Sequence, residues 1–140
     1  MNSIRNCRIA GYGTYLPKQT VEFEGQTRYR ISGDEDQLSM AVAACKQALG
    51  TAELDINNID CIVSASAVGI QPIPSTAALI HEQLALGTSI PALDINTTCT
   101  SFLTALDTMS YLVAAGRYKN VLIVSSEVGS LGLNPKQRES

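Results

Sequence analysis

Residues 91–126, PALDINTTCTSFLTALDTMSYLVAAGRYKNVLIVSS, hold two apolar runs separated by one helical repeat. Pro91–Asn96 reads as a strand. From about Cys99 to Ala115, Phe102, Leu106, Met109 and Val113 recur at i, i+4, i+7 and i+11, which predicts a helix that Gly116 ends. Val121–Ser126 is nearly all apolar and predicts a strand covered on both faces. A strand, a helix and a second strand in that order fit a parallel sheet with crossover helices.

Upstream, the same alternation recurs. Asn58–Ala67 (NIDCIVSASA) is a short apolar run behind a turn, the mark of a buried strand, and Cys61 lies inside it. Pro72 and Pro74 break the chain before Ser75, which caps a helix running through Ala85 and closed by Gly87. Ala78, Leu79, Glu82 and Leu86 would share one side of it. An earlier helix has Leu38, Ala41, Val42, Cys45 and Leu49 on one stripe, with Asp34 or Asp36 at its start and Gly50 at its C-terminal cap. Ile9–Leu16 predicts a strand stopped by Pro17, and Lys18–Asp36 a polar surface excursion with a short strand near Arg28–Ile31. Gly11 and Gly13 make only half of a dinucleotide fingerprint, so close backbone packing is the better account of them. Together these elements predict an α/β layered domain with a mostly parallel sheet flanked by helices. The polar sequence that follows the last buried strand leaves a sheet edge unprotected, and predicts a sheet that is incomplete within 1–140.

Composition narrows the classes of function. The chain has 140 residues, of which 45% are hydrophobic and 16% charged, so a core is affordable and global disorder is excluded. A net charge of −3 argues against a nucleic-acid module. No apolar run approaches the roughly 18 residues of a membrane span, and the first residues do not read as a signal peptide. A cytoplasmic protein with no membrane partner is the expectation. The single His, His81, and four widely spaced cysteines without a C-x-x-C pair give neither a zinc site nor a disulfide framework, and no metal is expected. His81 reads as structural or exposed.

The chemistry concentrates at Asp94–Phe102 (DINTTCTSF), where a strand ends, two threonines turn, and Cys99 stands at the first turn of a long apolar helix. Unsatisfied N–H groups and the helix dipole favour negative charge there, which suits a thiolate and an oxyanion beside it. A sulfur so placed can accept an acyl group from a thioester and pass it on. Cys7, Cys45 and Cys61 have no comparable helix terminus, and Cys45 and Cys61 fall on buried stripes. Cys99 is the candidate nucleophile; the alternative for it is a buried cysteine at a strand end.

ALDINTTCTSFLTAL resembles the active-site stretch of the β-ketoacyl-acyl-carrier-protein synthase III family of thiolase-like condensing enzymes. IAGYGTYLP, DINNIDCIVSAS, PSTAALIHEQLALG and GRYKNVLIVSSEV extend the resemblance, in order, over nearly the whole chain. It implies an N-terminal thiolase-like half-domain over 1–140, stopping before its last strand, with the C-terminal half absent. It implies that Cys99 is acylated by an acyl-coenzyme A, which is a substrate and not a cofactor. The acyl-enzyme would then condense with malonyl-acyl-carrier protein, with loss of carbon dioxide, in fatty acid biosynthesis. It also implies a homodimer, with Ile73 reaching the partner's acyl pocket, and a contact of Arg138 with the adenine end of coenzyme A. The family's catalytic His and Asn lie in the C-terminal half, and His81 stands in the wrong motif to replace them.

Two departures bear on substrate. The excursion after Pro17 is shorter than in the family, and the chain has no Trp to grip the coenzyme A base. Tyr29, flanked by Arg28 and Arg30, is the local aromatic, and a carrier protein or another thioester becomes an alternative donor. Arg117, Lys119, Lys136 and Arg138 form the late basic cluster, which reads first as a solvated rim. Two other functions stand beside the first: a specialised relative in secondary metabolism, and a noncatalytic half-domain acting as an interaction subunit.

Overall fold

The computed structural model describes residues 5–132. A hairpin comes first, β1 (Gln19–Phe23) and β2 (Gln26–Arg30). There follow α1 (Gln37–Ala52), β3 (Cys61–Ser64), α2 (Thr76–Ala85), β4 (Ala92–Asp94), α3 (Ser101–Ala114) and β5 (Val121–Val124). Strands β4, β3 and β5 form a parallel sheet in that order, with Cys61 opposite Val121 and Ser64 opposite both Asp94 and Val124. The α/β reading of the sequence therefore holds.

Strand β3 is central and buried throughout. Its side chains alternate between two cores, as a period of two requires. Ile62 joins Ala41 and Cys45 of α1, Ile80 and Ala85 of α2, and Leu122 and Val124 of β5. Cys61 and Val63 face the other way, onto Ala105 and Met109 of α3. Helices thus cover both faces, α1 and α2 on one and α3 on the other.

Polar clamps fix how these layers meet. Asp60 accepts from the N–H groups of Asn120 (2.9 Å) and Lys119 (2.6 Å), which sets the start of β3 against the start of β5. Those bonds hold its carboxyl below the usual range. At the other end of the sheet, Asp94 accepts from the N–H groups of Thr76 (3.0 Å) and Ala77 (2.7 Å), the first two residues of α2. Ser75 caps the next, Ala78, at 3.3 Å. One carboxylate therefore ties the end of β4 to the positive end of α2.

Several expectations need correction. Ile9–Leu16 forms no strand. A Cβ on Gly11 or Gly13 would fall 2.6 Å and 2.2 Å from the carbonyl oxygens of Ala48 and Ala44, so the segment lies on the backbone of α1. Thr14 N–H donates to Gln47 and the Thr51 hydroxyl donates to the Tyr12 carbonyl, both at 2.5 Å, in place of a ladder. The close packing foreseen for the two glycines is what the structure has. The excursion is an ordered hairpin, because Glu24 and Gly25 both adopt positive φ (46° and 77°), the geometry of a tight two-residue turn. Of the two cap candidates, Asp34 and Asp36, helix α1 uses Asp36, and it runs through Gly50 to a left-handed Glu53 (φ 53°). On α2 the buried face is Thr76, Ala77, Ile80 and Ala85, and Leu86 is exposed.

Helix α3 begins at Ser101, two residues after Cys99, and buries Ser101, Ala105 and Met109. Of the expected stripe only Met109 is buried; Phe102, Leu106 and Val113 instead line an open cavity of about 930 Å³ between α3, β5 and residues 5–13. Arg5 closes one end of it, bonded to Asp107 and to Ser110 (2.6 Å) and lying 4.3 Å over the Tyr111 ring. Strand β5 is covered only alternately, and its outer edge has no partner strand among the described residues.

Glu35 organises the approach to α1. Its carboxylate accepts from the Tyr15 hydroxyl (2.7 Å), Lys18 N–H (2.9 Å), and Ser32 N–H (3.0 Å) and hydroxyl (3.2 Å), gathering both ends of the hairpin excursion. The Tyr15 bond above all, then the backbone bonds, hold its carboxyl at about 2, against an ordinary 4.5. A lowered pKa adds stability that is present above the ordinary value and lost as pH falls through the shifted one. Thermal unfolding should accordingly show a loss of stability between about pH 5 and pH 2 that is smaller in Glu35→Gln. Equal slopes in the two proteins would show that Glu35 holds nothing. For the other clamp, Asp94→Ala should cost about 1–2 kcal/mol in urea denaturation with an unchanged slope.

Candidate active site

Because the three sheet strands are parallel, their carboxyl ends lie together. Ala65 N–H donates to the Val124 carbonyl (2.7 Å) and Ile95 N–H to the Ser64 carbonyl (2.8 Å), so the three following loops leave side by side. A cavity of about 280 Å³ lies among them, lined by Ala65, Ala67, Thr98, Cys99, Phe102 and Glu127, with two serines. Crevices at the carboxyl ends of parallel strands are where α/β folds place ligands.

The turn bearing Cys99 is stitched by hydroxyl groups. Ser101 Oγ donates to the Thr98 carbonyl (2.6 Å) and accepts from Thr97 N–H (3.0 Å). Thr100 Oγ1 donates to the Thr97 carbonyl (2.8 Å), and the Thr97 and Thr104 hydroxyls meet at 2.8 Å. Asn96 Oδ1 accepts from Thr98 N–H at 2.9 Å. Short polar side chains are the ones that can bond locally to backbone in this way, which is why the segment reads NTTCTS. The bonds enforce a left-handed Thr98 (φ 55°), a conformation that costs a β-branched residue about 1–3 kcal/mol.

Cys99 follows that residue and is exposed. It stands on the turn, not in the helix as expected, and the N-cap of α3 is Thr100, which makes no side-chain cap bond. The N–H groups of Phe102 and Leu103 have no acceptor among the described residues, and Phe102 lines the cavity beside Cys99. Cys45 and Cys61 are buried, and burial pushes the Cys45 thiol up to about 12 and the Cys61 thiol upward. Cys7 is exposed, beside the larger cavity.

The other expected site residues do not gather here. Ile73 is 86% exposed on the loop before α2, next to a cis bond with Pro74, and does not line the Cys99 cavity. Arg138 and Lys136 lie outside the described residues. Tyr29 is half exposed on β2. His81 meets Thr88 at 3.2 Å, at the far end of α2. Arg117 lies over the Tyr118 ring, 5.0 Å from its centroid. No three His, Cys, Asp or Glu side chains gather to hold a metal among the described residues. Sequence reasoning missed Asn96, Ser101 and Glu127. The Asn-x-Thr turn pattern signals the first, and the parallel order of strands brings Glu127, three residues past β5, to the same end as Cys99.

Comparison with known proteins agrees with this architecture. A sequence profile described as 3-oxoacyl-[acyl-carrier-protein] synthase III matches residues 93–140, which include the Cys99 turn. The beta-ketoacyl-[acyl-carrier-protein] synthase III of Clostridium perfringens (strain SM101 / Type A) is 35% identical over 154 aligned positions, covering 98% of this chain and 47% of that protein. The crystal structure of 3-oxoacyl-[acyl-carrier-protein] synthase III from Aquifex aeolicus VF5 superposes with a TM-score of 0.86 at 29% identity, over 94% of this chain and 48% of that one. The priming beta-ketosynthase of the R1128 polyketide pathway gives 0.81 at 26%, over 94% and 44%. The chain spans about half the length of the relatives it matches. With the parallel sheet between helix layers and the cysteine turn at its carboxyl edge, these similarities give the chain the thiolase-like fold of β-ketoacyl-[acyl-carrier-protein] synthase III and match it to the N-terminal portion of those enzymes.

Proposed function

We propose that this chain supplies the acyl-accepting cysteine of a 3-oxoacyl-acyl-carrier-protein synthase III. The observation that carries the reading is the exposed Cys99, held on a strained turn at the cavity where three parallel strands end, beside unpaired N–H groups of α3. Cys99 Sγ attacks the carbonyl carbon of an acyl-coenzyme A. The negative charge that develops on the carbonyl oxygen is favoured near the start of α3. The C–S bond to coenzyme A then breaks, and the cysteine's proton leaves with the coenzyme A thiol. In the whole protein the acyl group passes to the carbanion formed when malonyl-acyl-carrier protein loses carbon dioxide. That step breaks the bond to Cys99 Sγ, which regains a proton, and gives a 3-oxoacyl product. Coenzyme A thioester and acyl carrier protein are accordingly the partners.

Assembly belongs to the same proposal. Ile73 projects into solvent from the loop before α2, as a residue that completes a second copy's acyl pocket would. Arg138 is proposed for the coenzyme A end on its family position alone. A specialised priming or acyl-transferring relative is the second reading. It is favoured by the tight hairpin at residues 19–30 in a chain without Trp, and by an alignment to the Clostridium protein longer than this chain.

The test is mass spectrometry of the native protein that carries this chain after incubation with acetyl-coenzyme A. One acetyl group on the Cys99 peptide is expected, and Cys99→Ala should lose both the adduct and at least about a thousandfold of condensation rate. A Cys99→Ala protein that still condenses at the parental rate would sink the mechanism. Preference for a donor other than a short acyl-coenzyme A would select the second reading.

A further inference from the structure

We propose that Glu127 is a positioning residue for Cys99, acting through a hydrogen-bond relay that crosses all three strand ends. Glu127 Oε1 accepts from Ala67 N–H at 2.5 Å. The Ala67 carbonyl accepts from Asn96 Nδ2 at 2.8 Å, and Asn96 Oδ1 accepts from Thr98 N–H at 2.9 Å. Thr98 is the left-handed residue that precedes Cys99. The relay therefore starts after β5, passes through the loop after β3, and ends on the turn after β4. The proposal rests on Cys99 being the acyl acceptor, and adds what holds it in place.

Three features make the relay directional. Its Glu127 end is anchored independently: Ser126 N–H donates to Ser66 Oγ (3.0 Å), Ser66 Oγ donates to the Ser126 carbonyl (3.1 Å), and Ser126 Oγ donates to the Gln37 carbonyl (2.9 Å). The carboxylate is thus held where it can set the height of the Ala67 peptide. Asn96 then uses both ends of its amide, donating to Ala67 and accepting from Thr98, so a shift of Ala67 must move or break the bond at Thr98. Finally, Glu127, Ala67, Thr98 and Cys99 all border the one cavity, so the relay acts on the wall that a thioester would face. Thr98 cannot relax without consequence, because its φ is one that a β-branched residue leaves when released.

Glu127 would be replaceable by Gln, whose carbonyl oxygen can accept from the same N–H, if the bond and not the charge is what matters. The experiment measures acetylation of Cys99 by acetyl-coenzyme A in the native protein that carries this chain, by timed quench and mass spectrometry. Alkylation by iodoacetamide is read in parallel as the ratio of Cys99 to Cys7, the other exposed cysteine. Glu127→Ala and Asn96→Ala should each slow acetylation about tenfold, the loss expected for one positioning hydrogen bond, while Glu127→Gln stays within about threefold. The double alanine variant should be no slower than either single one, since both break one relay. Asp60→Ala removes the clamp at the opposite end of the sheet, and should lower the melting temperature without slowing acetylation. Asn96→Asp, which keeps the acceptor for Thr98 and loses the donor to Ala67, should behave as Asn96→Ala even if Glu127→Ala does not fold.

Parental rates in Glu127→Ala or Asn96→Asp would overturn the proposal, as would a Gln variant as slow as the Ala variant. Multiplying effects in the double variant would overturn it too. If the parental protein forms no acetyl-Cys99, the acyl-acceptor reading fails by itself. The relay is then judged by whether the same variants change the Cys99-to-Cys7 alkylation ratio in the same order, with Glu127→Gln restoring it. An unchanged ratio would end it.

Discussion

Burying β3 on both faces is the constraint from which the other features of this chain follow. A strand with no solvent face needs apolar partners above and below, and its backbone needs strands on both edges. Ile62 meets the α1 and α2 layer while Cys61 and Val63 meet α3. Strands β4 and β5 satisfy its two edges in parallel. A slip of one residue would exchange the two cores, and a bulky Ile62 would replace Cys61 and Val63 against the small Ala105. Register is therefore specified by side-chain size on each face, with Asp60 pinning one end through backbone N–H groups.

Fixing that register determines where polar residues fall. Asp94 sits opposite Ser64 at the last pair of the sheet, one position before the chain leaves for the cysteine turn. Its two bonds to α2 join the end of the sheet to a helix, so the turn starts from a point held in three directions. The hydroxyl network of Thr97, Thr98, Thr100 and Ser101 completes the restraint, and a left-handed threonine is the visible result. Such a backbone persists only where its surroundings over-determine it. Here the surroundings are all three strand ends.

Much of this was legible in the sequence, and the reasons for the gaps are specific. Apolar runs at 58–67, 91–96 and 121–126 located every strand of the parallel sheet, and Ser75 and Asp36 located two helix starts, because caps and buried strands depend on local chemistry. Helical periodicity gave existence but not facing. On α3 the conspicuous Phe102, Leu106 and Val113 line an open cavity, while the small Ala105 packs with Met109 on the sheet, since close approach of helix to strand selects small residues. Ile9–Leu16 has a strand's composition, yet a strand needs a partner, and among the described residues the neighbour it has is a helix that its glycines let it touch. Cys99 stood out in the sequence at a strand–helix junction, and the structure has it exposed beside the cavity where the strands end. Asn96 and Glu127 did not stand out, because what brings them together is a juxtaposition of loops 29 and 60 residues apart in sequence.

The four cysteines show how much of a thiol's surroundings is decided by fold and not by residue type. Cys61 and Cys45 occupy opposite faces of the sheet, each taking the space of a small apolar residue, and burial disfavours their charged forms. Cys7 and Cys99 are both exposed, so exposure alone does not separate them. What separates them is backbone. Cys7 lies in an irregular segment beside the larger cavity, where its own N–H donates to the Arg5 carbonyl (3.0 Å) and no hydroxyl network surrounds it. Cys99 lies on a turn whose hydroxyl groups bond within the turn and to α3, and whose Asn96 bonds to the loop after β3, so its backbone is fixed. A nucleophile gains from such restriction because reaction then needs little further loss of freedom. In the acyl-accepting role proposed for Cys99, the strain at Thr98 is the cost of fixing the backbone under the thiol, and the stability that sustains it comes from the buried strand beneath.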